Sequence, residues 1–136
     1  MAAKPVRIVL DSWAVLAMLQ GEAKGQKVVD AIANCLAADG EILMTVVNLG
    51  EVWYTLARRL SDAEADRSVA DLRGLGIDVV DAAWELTRQA AWLKAKGRLS
   101  YADAFAAGLA RLMKCELLTG DSEFASIEAD VKIRWL

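Results

Sequence analysis

The chain contains no histidine and only two cysteines, Cys35 and Cys115. Zinc sites draw mainly on those two residue types, so a zinc centre is not expected. The cysteines lack C-x-x-C spacing and read as reduced, packed thiols of a cytoplasmic protein. Long apolar runs are missing as well. Uncharged stretches such as Ile42–Gly50 and Ala104–Ala110 fall well short of the roughly 20 residues of a membrane span. No membrane association is expected. The opening stretch, MAAKPVRIVLDSW, has no long apolar core, so a signal peptide is not expected either. Positive charge is not in excess: the formal net charge is −3. That argues against a basic protein that coats nucleic acid. It leaves room for a nucleic-acid enzyme, because carboxylates gathered around a divalent cation are locally neutralised. Repeats, low-complexity tracts and linkers are not evident.

What is present is apolar and helix-forming. Hydrophobic residues make up 56% of 136 residues, above the roughly 45–50% of an average globular chain. A single domain over residues 1–136 is expected, large enough to bury a core without staples. Much of the apolar content is alanine, which favours helix. The excess also allows an apolar interface with a partner.

Strands and helices alternate along the chain. Val6–Leu10 is rich in β-branched residues and reads as a buried strand. Ser12 is placed to cap a helix through Trp13, Val15, Leu16 and Leu19, closed near Gly21. A helix over 23–38 follows, then a turn at Asp39-Gly40 and a strand over Ile42–Val46. Asn48 is expected to open a helix carrying Leu49, Val52, Trp53, Leu56 and Leu60 at helical spacing. Ser61 caps the next, to about Arg73. Ile77–Val80 reads as a strand, and Asp81 opens a helix to about Lys96, ended by Gly97. Ser100 caps a helix to about Lys114. Glu116–Thr119 and Val131–Trp135 complete the strands. This order implies a parallel sheet with helices on both faces, and a ligand site beyond the carboxyl ends of the strands.

Four acids gather at that predicted edge. Asp11 follows the first strand and Asp121 the strand Glu116–Thr119. Glu51 lies in the expected first turn of the helix after Ile42–Val46, and Asp103 in the first turn after Ser100. Each has a plain structural alternative. Asn48–Glu51 and Ser100–Asp103 match capping-box spacing. Asp11 suits a cap, and Asp121 an Asx turn or the cap of a short helix through Ser122. Taken together they are harder to explain as caps. Two carboxylates about 5 Å apart repel by about 3 kcal/mol at an effective dielectric near 20. A cluster takes up protons or needs a cation. A hard, oxygen-liganded Mg2+ or Mn2+ resolves the conflict, and such an ion can activate water and stabilise charge on a phosphoryl oxygen.

Four stretches carry a family resemblance: VLDSWAVLAML at 9–19, TVVNLGEVWYTLARR at 45–59, LSYADAFAAGLA at 99–110 and LLTGDSEF at 117–124. In this order the chain resembles PIN-domain ribonucleases of the VapC toxin kind. The resemblance implies a PIN-like α/β/α sandwich with a small parallel sheet of about five strands. It places the family's metal-binding acids on Asp11, Glu51, Asp103 and Asp121. It places supporting hydroxyl and amide groups on Ser12, Thr45, Asn48, Ser100 and Thr119. It implies Mg2+- or Mn2+-dependent cleavage of RNA, a cognate antitoxin as partner, and a homodimer. Glu123 sits where some members carry a further acid, and reads as a ligand or as a solvated charge. Trp13 stands where a small polar residue is common, and is the tryptophan placed to meet RNA; Trp53, Trp84 and Trp92 read as packing residues. Arg7, Lys94, Lys96 and Arg98 are the candidate phosphate contacts, with solvated helix ends as the alternative for the lysines. Gly120 is expected to let the backbone turn before Asp121.

Competing classes fit less well. A haloacid-dehalogenase phosphatase needs a second aspartate two residues after the first, where Trp13 stands. A phospho-accepting receiver domain needs an early pair of adjacent acids. A PIN-like binding module without catalysis remains an alternative on sequence grounds.

Overall fold

The computed structural model describes residues 5–136. Strand β1 (Arg7–Leu10) leads into helix α1 (Ser12–Leu19) and α2 (Gly25–Ala37). Then come β2 (Glu41–Thr45), α3 (Val46–Arg59) and α4 (Asp62–Gly74). The chain continues through β3 (Ile77–Val80), α5 (Trp84–Lys96) and α6 (Tyr101–Met113). It closes with β4 (Glu116–Thr119), a short 3-10 helix (Ser122–Ile127) and β5 (Ile133–Trp135).

The five strands form one sheet in the order β3-β2-β1-β4-β5, and every neighbouring pair is parallel. This is an α/β/α sandwich around a five-stranded parallel sheet, as the resemblance implied. Side chains alternate across the strands. Ile8, Leu10, Ile42, Met44 and Leu118 join the core beneath α1, α2, α3 and α4. Val9, Leu43 and Leu117 join the core beneath α5 and α6. Both faces are covered, so the central strands carry apolar residues without alternation in polarity.

Helix α6 is buried continuously from Asp103 to Ala110. Its small residues explain how it fits. A Cβ added at Gly108 would lie 2.9 Å from the Ala90 backbone nitrogen, so glycine there lets α6 lie directly on α5.

Several boundaries differ from the sequence reading, and for α1 and α3 the reason is shared: the capping residue sits at the strand end. Asp11, not Ser12, caps α1 by accepting from the Ala14 N–H. Thr45, not Asn48, caps α3. Asn48 is therefore inside the helix, and Glu51 falls in its second turn. Asp81 lies before α5, whose cap is Ala83 and makes no side-chain hydrogen bond. Ser61 and Ser100 cap as expected.

The chain builds β1, β2 and β3 outward in one direction, then crosses back to lay β4 on the other side of β1. The strand order reverses between β1 and β4. A crevice forms at such a switch point, beyond the carboxyl ends of the two strands. Asp11 and Asp121 lie there, immediately after β1 and just past β4.

Candidate metal centre

Asp11 is 1% exposed, and both of its oxygens are held. One accepts the Ala14 N–H at 2.8 Å, and the other accepts the Thr119 hydroxyl. Thr119 Oγ1 also accepts the Asp121 N–H at 3.0 Å. One buried hydroxyl thus ties the acid after β1 to the acid after β4. Asp121 in turn caps the 3-10 helix, accepting the Glu123 N–H at 3.0 Å. Capping and site-building are here performed by the same side chains.

The other half of the site comes from α3 and α6. The Thr45 hydroxyl donates to the Asn48 side-chain oxygen and accepts the Asn48 N–H at 3.0 Å. Asn48 Nδ2 donates to Glu51 Oε1 at 3.2 Å and to the Ala102 carbonyl at 3.0 Å. That second bond docks the start of α6 on α3. It supplies what strand topology alone does not, since Asp103 follows a helix rather than a strand. Ser12 Oγ donates to Glu51 Oε1 at 3.0 Å, and Ser100 Oγ accepts the Asp103 N–H at 3.1 Å.

Carboxylate oxygens of Asp103, Asp121 and Glu123 all lie within 4.8 Å of one another. Glu123 therefore belongs with Asp103 and Asp121 in space, although it is exposed. Asp11 and Glu51 flank this group. Among the described residues, none of these five carboxylates forms a salt bridge.

The electrostatic strain is visible in the two most buried acids. Burial pushes the Asp11 carboxyl from 3.8 up to about 7; hydrogen bonds from Thr119 and Ala14 oppose this, and the charges of Asp103 and Asp121 add to it. Asp103 is likewise raised to about 7, first by burial and then by Asp121 and Glu51. Carboxyls raised by burial and by one another are relieved by a cation. The donor set is oxygen only, which matches a hard divalent ion such as Mg2+ or Mn2+ rather than zinc. The residues present fit such an ion.

Of the remaining candidates, Arg7 is displaced. It begins β1, at the opposite edge of the sheet from the acids, and pairs with Glu41 at 3.4 Å. Its place follows from strand direction: the residue that enters a parallel strand lies far from the strand's carboxyl end. Lys94 donates to the Leu99 carbonyl at 2.7 Å. Lys96 pairs with Asp130 at 3.2 Å and lies 4.1 Å from the Trp92 ring. The Arg98 backbone N–H donates to Ser126 Oγ at 3.1 Å.

Trp13 is half-buried against the α1–α4 core. A Cβ added at Gly120 would lie 2.3 to 2.7 Å from three atoms of its six-membered ring. Gly120 does not have positive φ. Its requirement is space for the indole rather than a special turn, which corrects the sequence reading. Trp53 packs on the core and donates to Asp66 at 2.8 Å, whereas Trp84 is 70% exposed. Two contributors had no sequence signal at all: the Ala102 carbonyl and the Ala14 amide act through backbone, where residue identity carries little information.

Fold and site together define an α/β protein with an all-carboxylate centre at its strand-order switch. The PIN domain family profile matches residues 8–130, and the chain belongs to the PIN domain family. No curated protein matches the sequence. Among solved structures, it is similar to VapBC-1 of nontypeable Haemophilus influenzae, with TM-score 0.73 and 17% identity over 96% of this chain and 98% of that one. It is similar to VapC20 of Mycobacterium tuberculosis, a sarcin–ricin loop cleaving toxin, with TM-score 0.65 and 23% identity over 91% and 95%. VapBC2 of Rickettsia felis, bound to a DNA fragment from its promoter, matches with TM-score 0.72 and 14% identity over 95% and 98%.

Proposed function

We propose that the protein is a Mg2+- or Mn2+-dependent endoribonuclease and the toxin of a toxin–antitoxin pair. The observation that carries this reading is the meeting of Asp103, Asp121 and Glu123 within 4.8 Å beside buried Asp11. PIN-family membership supports nuclease chemistry, and the VapC20 likeness supports RNA as the substrate.

In this reading Asp11, Asp103 and Asp121 hold the ion, with Glu51 and Glu123 beside them. A bound divalent cation supplies an activated water and offsets charge on a phosphoryl oxygen. The protein's own residues supply orientation. Thr119 fixes Asp11 and the backbone entering Asp121. Asn48 and Ser12 fix Glu51, and Ser100 fixes the turn bearing Asp103. With each ligand held by a neighbour, little ordering remains to be done on binding.

A cognate antitoxin is the proposed partner. A groove of about 420 Å³, with Leu19, Leu56 and Leu60 set among Gln20, Arg59, Glu64 and Ser68, supports a protein contact. A homodimer belongs to the same reading, with exposed Trp84 supporting an apolar contact. The proposed location is the cytoplasm; no helix among the described residues is long and apolar enough to cross a membrane.

The test is Mn2+ titration by calorimetry on wild type and Asp121→Asn, with cleavage of a mixed RNA pool run alongside. Ion affinity should fall by more than about a hundredfold, beyond the roughly 10- to 100-fold lost when a group that merely orients a ligand is removed. Cleavage should disappear with it. An Asp121→Asn protein that still cuts RNA with Mn2+ would remove the carboxylates from the chemistry.

A further inference from the structure

Five carboxylates surround the candidate centre, and a phosphodiester brings further negative charge. An RNA strand approaching this edge therefore needs a cation that the carboxylates have not already captured. Four cationic side chains came forward from the sequence, and the structure separates them. The Arg7 guanidinium is on Glu41, at the far edge of the sheet. The Lys94 ammonium is on the Leu99 carbonyl. The Lys96 ammonium is on Asp130 and against the Trp92 ring, which Arg111 approaches at 4.0 Å as well. Among the described residues, Arg98 alone of the four has a side chain without an ion pair, hydrogen bond or aromatic contact.

Its backbone, by contrast, is pinned. The Arg98 N–H donates to Ser126 Oγ at 3.1 Å, and Ser126 Oγ donates to the Glu123 carbonyl at 3.2 Å. Arg98 is thus linked through one hydroxyl to the residue that carries a carboxylate of the cluster. On one side of it, a Cβ at Gly97 would lie 2.6 Å from Ile127. On the other side, Leu99 is 4% exposed and its carbonyl holds Lys94. Ser100 follows and caps the helix bearing Asp103. The loop is fixed to both carboxylate-bearing segments while its guanidinium stays in solvent.

We propose that Arg98 is the substrate-phosphate anchor of this site, gripping an RNA phosphate that flanks the bond to be cut. This rests on the ribonuclease reading and adds to it a binding residue and a direction of approach, over the loop between α5 and α6. A guanidinium can grip phosphate with two parallel hydrogen bonds, which an ammonium cannot reproduce. A pinned backbone lowers the ordering cost of that grip.

The experiment uses the full chain as wild type, Arg98→Ala and Arg98→Lys. A fluorescein-labelled single-stranded RNA pool is cut with Mn2+ under single-turnover conditions at rising protein concentration and several KCl concentrations. For Arg98→Ala the half-saturating protein concentration should rise roughly tenfold, the scale of a charge-assisted hydrogen bond at an exposed site. The slope of log affinity against log salt should shrink by about 0.7, the value for one phosphate contact on a single strand. Arg98→Lys should keep the slope and recover part of the affinity. The loss should fall on half-saturation more than on the plateau rate. Unchanged half-saturation and slope in Arg98→Ala, with wild type cutting normally, overturns the anchor and leaves the nuclease reading standing. A wild type that neither binds nor cuts RNA overturns both.

Discussion

Replacing Asp11 by asparagine removes a buried charge while keeping the side chain's shape. Without a cation, ionised Asp11 is destabilising, because its carboxyl is raised from 3.8 to about 7 and burial is the largest cause. The sign follows from linkage. The folded protein holds this proton more tightly than the unfolded chain does. The contribution of this group to stability is therefore greatest below pH 4, falls as pH rises toward 7, and is level above. At about 1.4 kcal/mol per pH unit, the full loss is about 4 kcal/mol. Asparagine cannot ionise and escapes this loss. It does disturb the bond to Thr119, at a cost of about 1 kcal/mol. The Thr119 hydroxyl must then turn to accept from the amide while still accepting from Asp121. The expected net result in EDTA is a variant about 1 kcal/mol less stable than wild type at pH 4, and about 3 kcal/mol more stable at pH 8. Saturating Mn2+ should reverse the order at pH 8, because ion binding stabilises only a folded site that can hold it; an ion at a thousand times its Kd contributes about 4 kcal/mol, more than the variant's lead. Urea unfolding read by tryptophan fluorescence measures all of this. A variant less stable than wild type at pH 8 in EDTA would show that Asp11 is a satisfied cap rather than a strained ligand.

Two further outcomes test the supports of the site. Gly120→Ala sets a methyl group within 2.7 Å of three Trp13 ring atoms and should cost about 1 to 3 kcal/mol in urea unfolding, as overpacking does; pairing it with Trp13→Leu should recover much of that loss, whereas strictly additive effects would remove the contact from the account. Asn48→Ala strips the Ala102 carbonyl and Glu51 of a buried donor at once, which should lower stability by about 2 to 3 kcal/mol; a loss under about half a kcal/mol would mean that α6 is docked by other means.

The sequence was most informative where one physical demand acted alone. The apolar β-branched run before Asp11, and Leu117-Leu118 before Thr119, could only be buried strands, and both are central. Helix α6 was readable because Ser100 and Asp103 mark its start without competition. Reading faltered where two demands shared one residue. Val46 and Val47 have strand-like side chains, so β2 was expected to run to Val46. The helix in fact begins there, because the preceding Thr45 caps it. Ser12 looked like a cap by type, yet Asp11 takes that role and frees the Ser12 hydroxyl for Glu51. The position of Glu123 beside Asp103 was suggested only by the family resemblance and left open there, because it depends on how the 3-10 helix folds back from β4. Arg7 was misplaced because charge and proximity in sequence to Asp11 conceal which end of a strand each occupies.

The Thr119–Asp11 hydrogen bond joins residues 108 positions apart. Everything between them must be made before the two can meet. Asp121 and Glu123 come later still. A growing chain that has not yet extended past β4 has no centre, however well its earlier helices have packed. The late strand therefore acts as a checkpoint in biosynthesis: a chain interrupted before it lacks Thr119, Asp121 and Glu123 and cannot assemble the carboxylate centre.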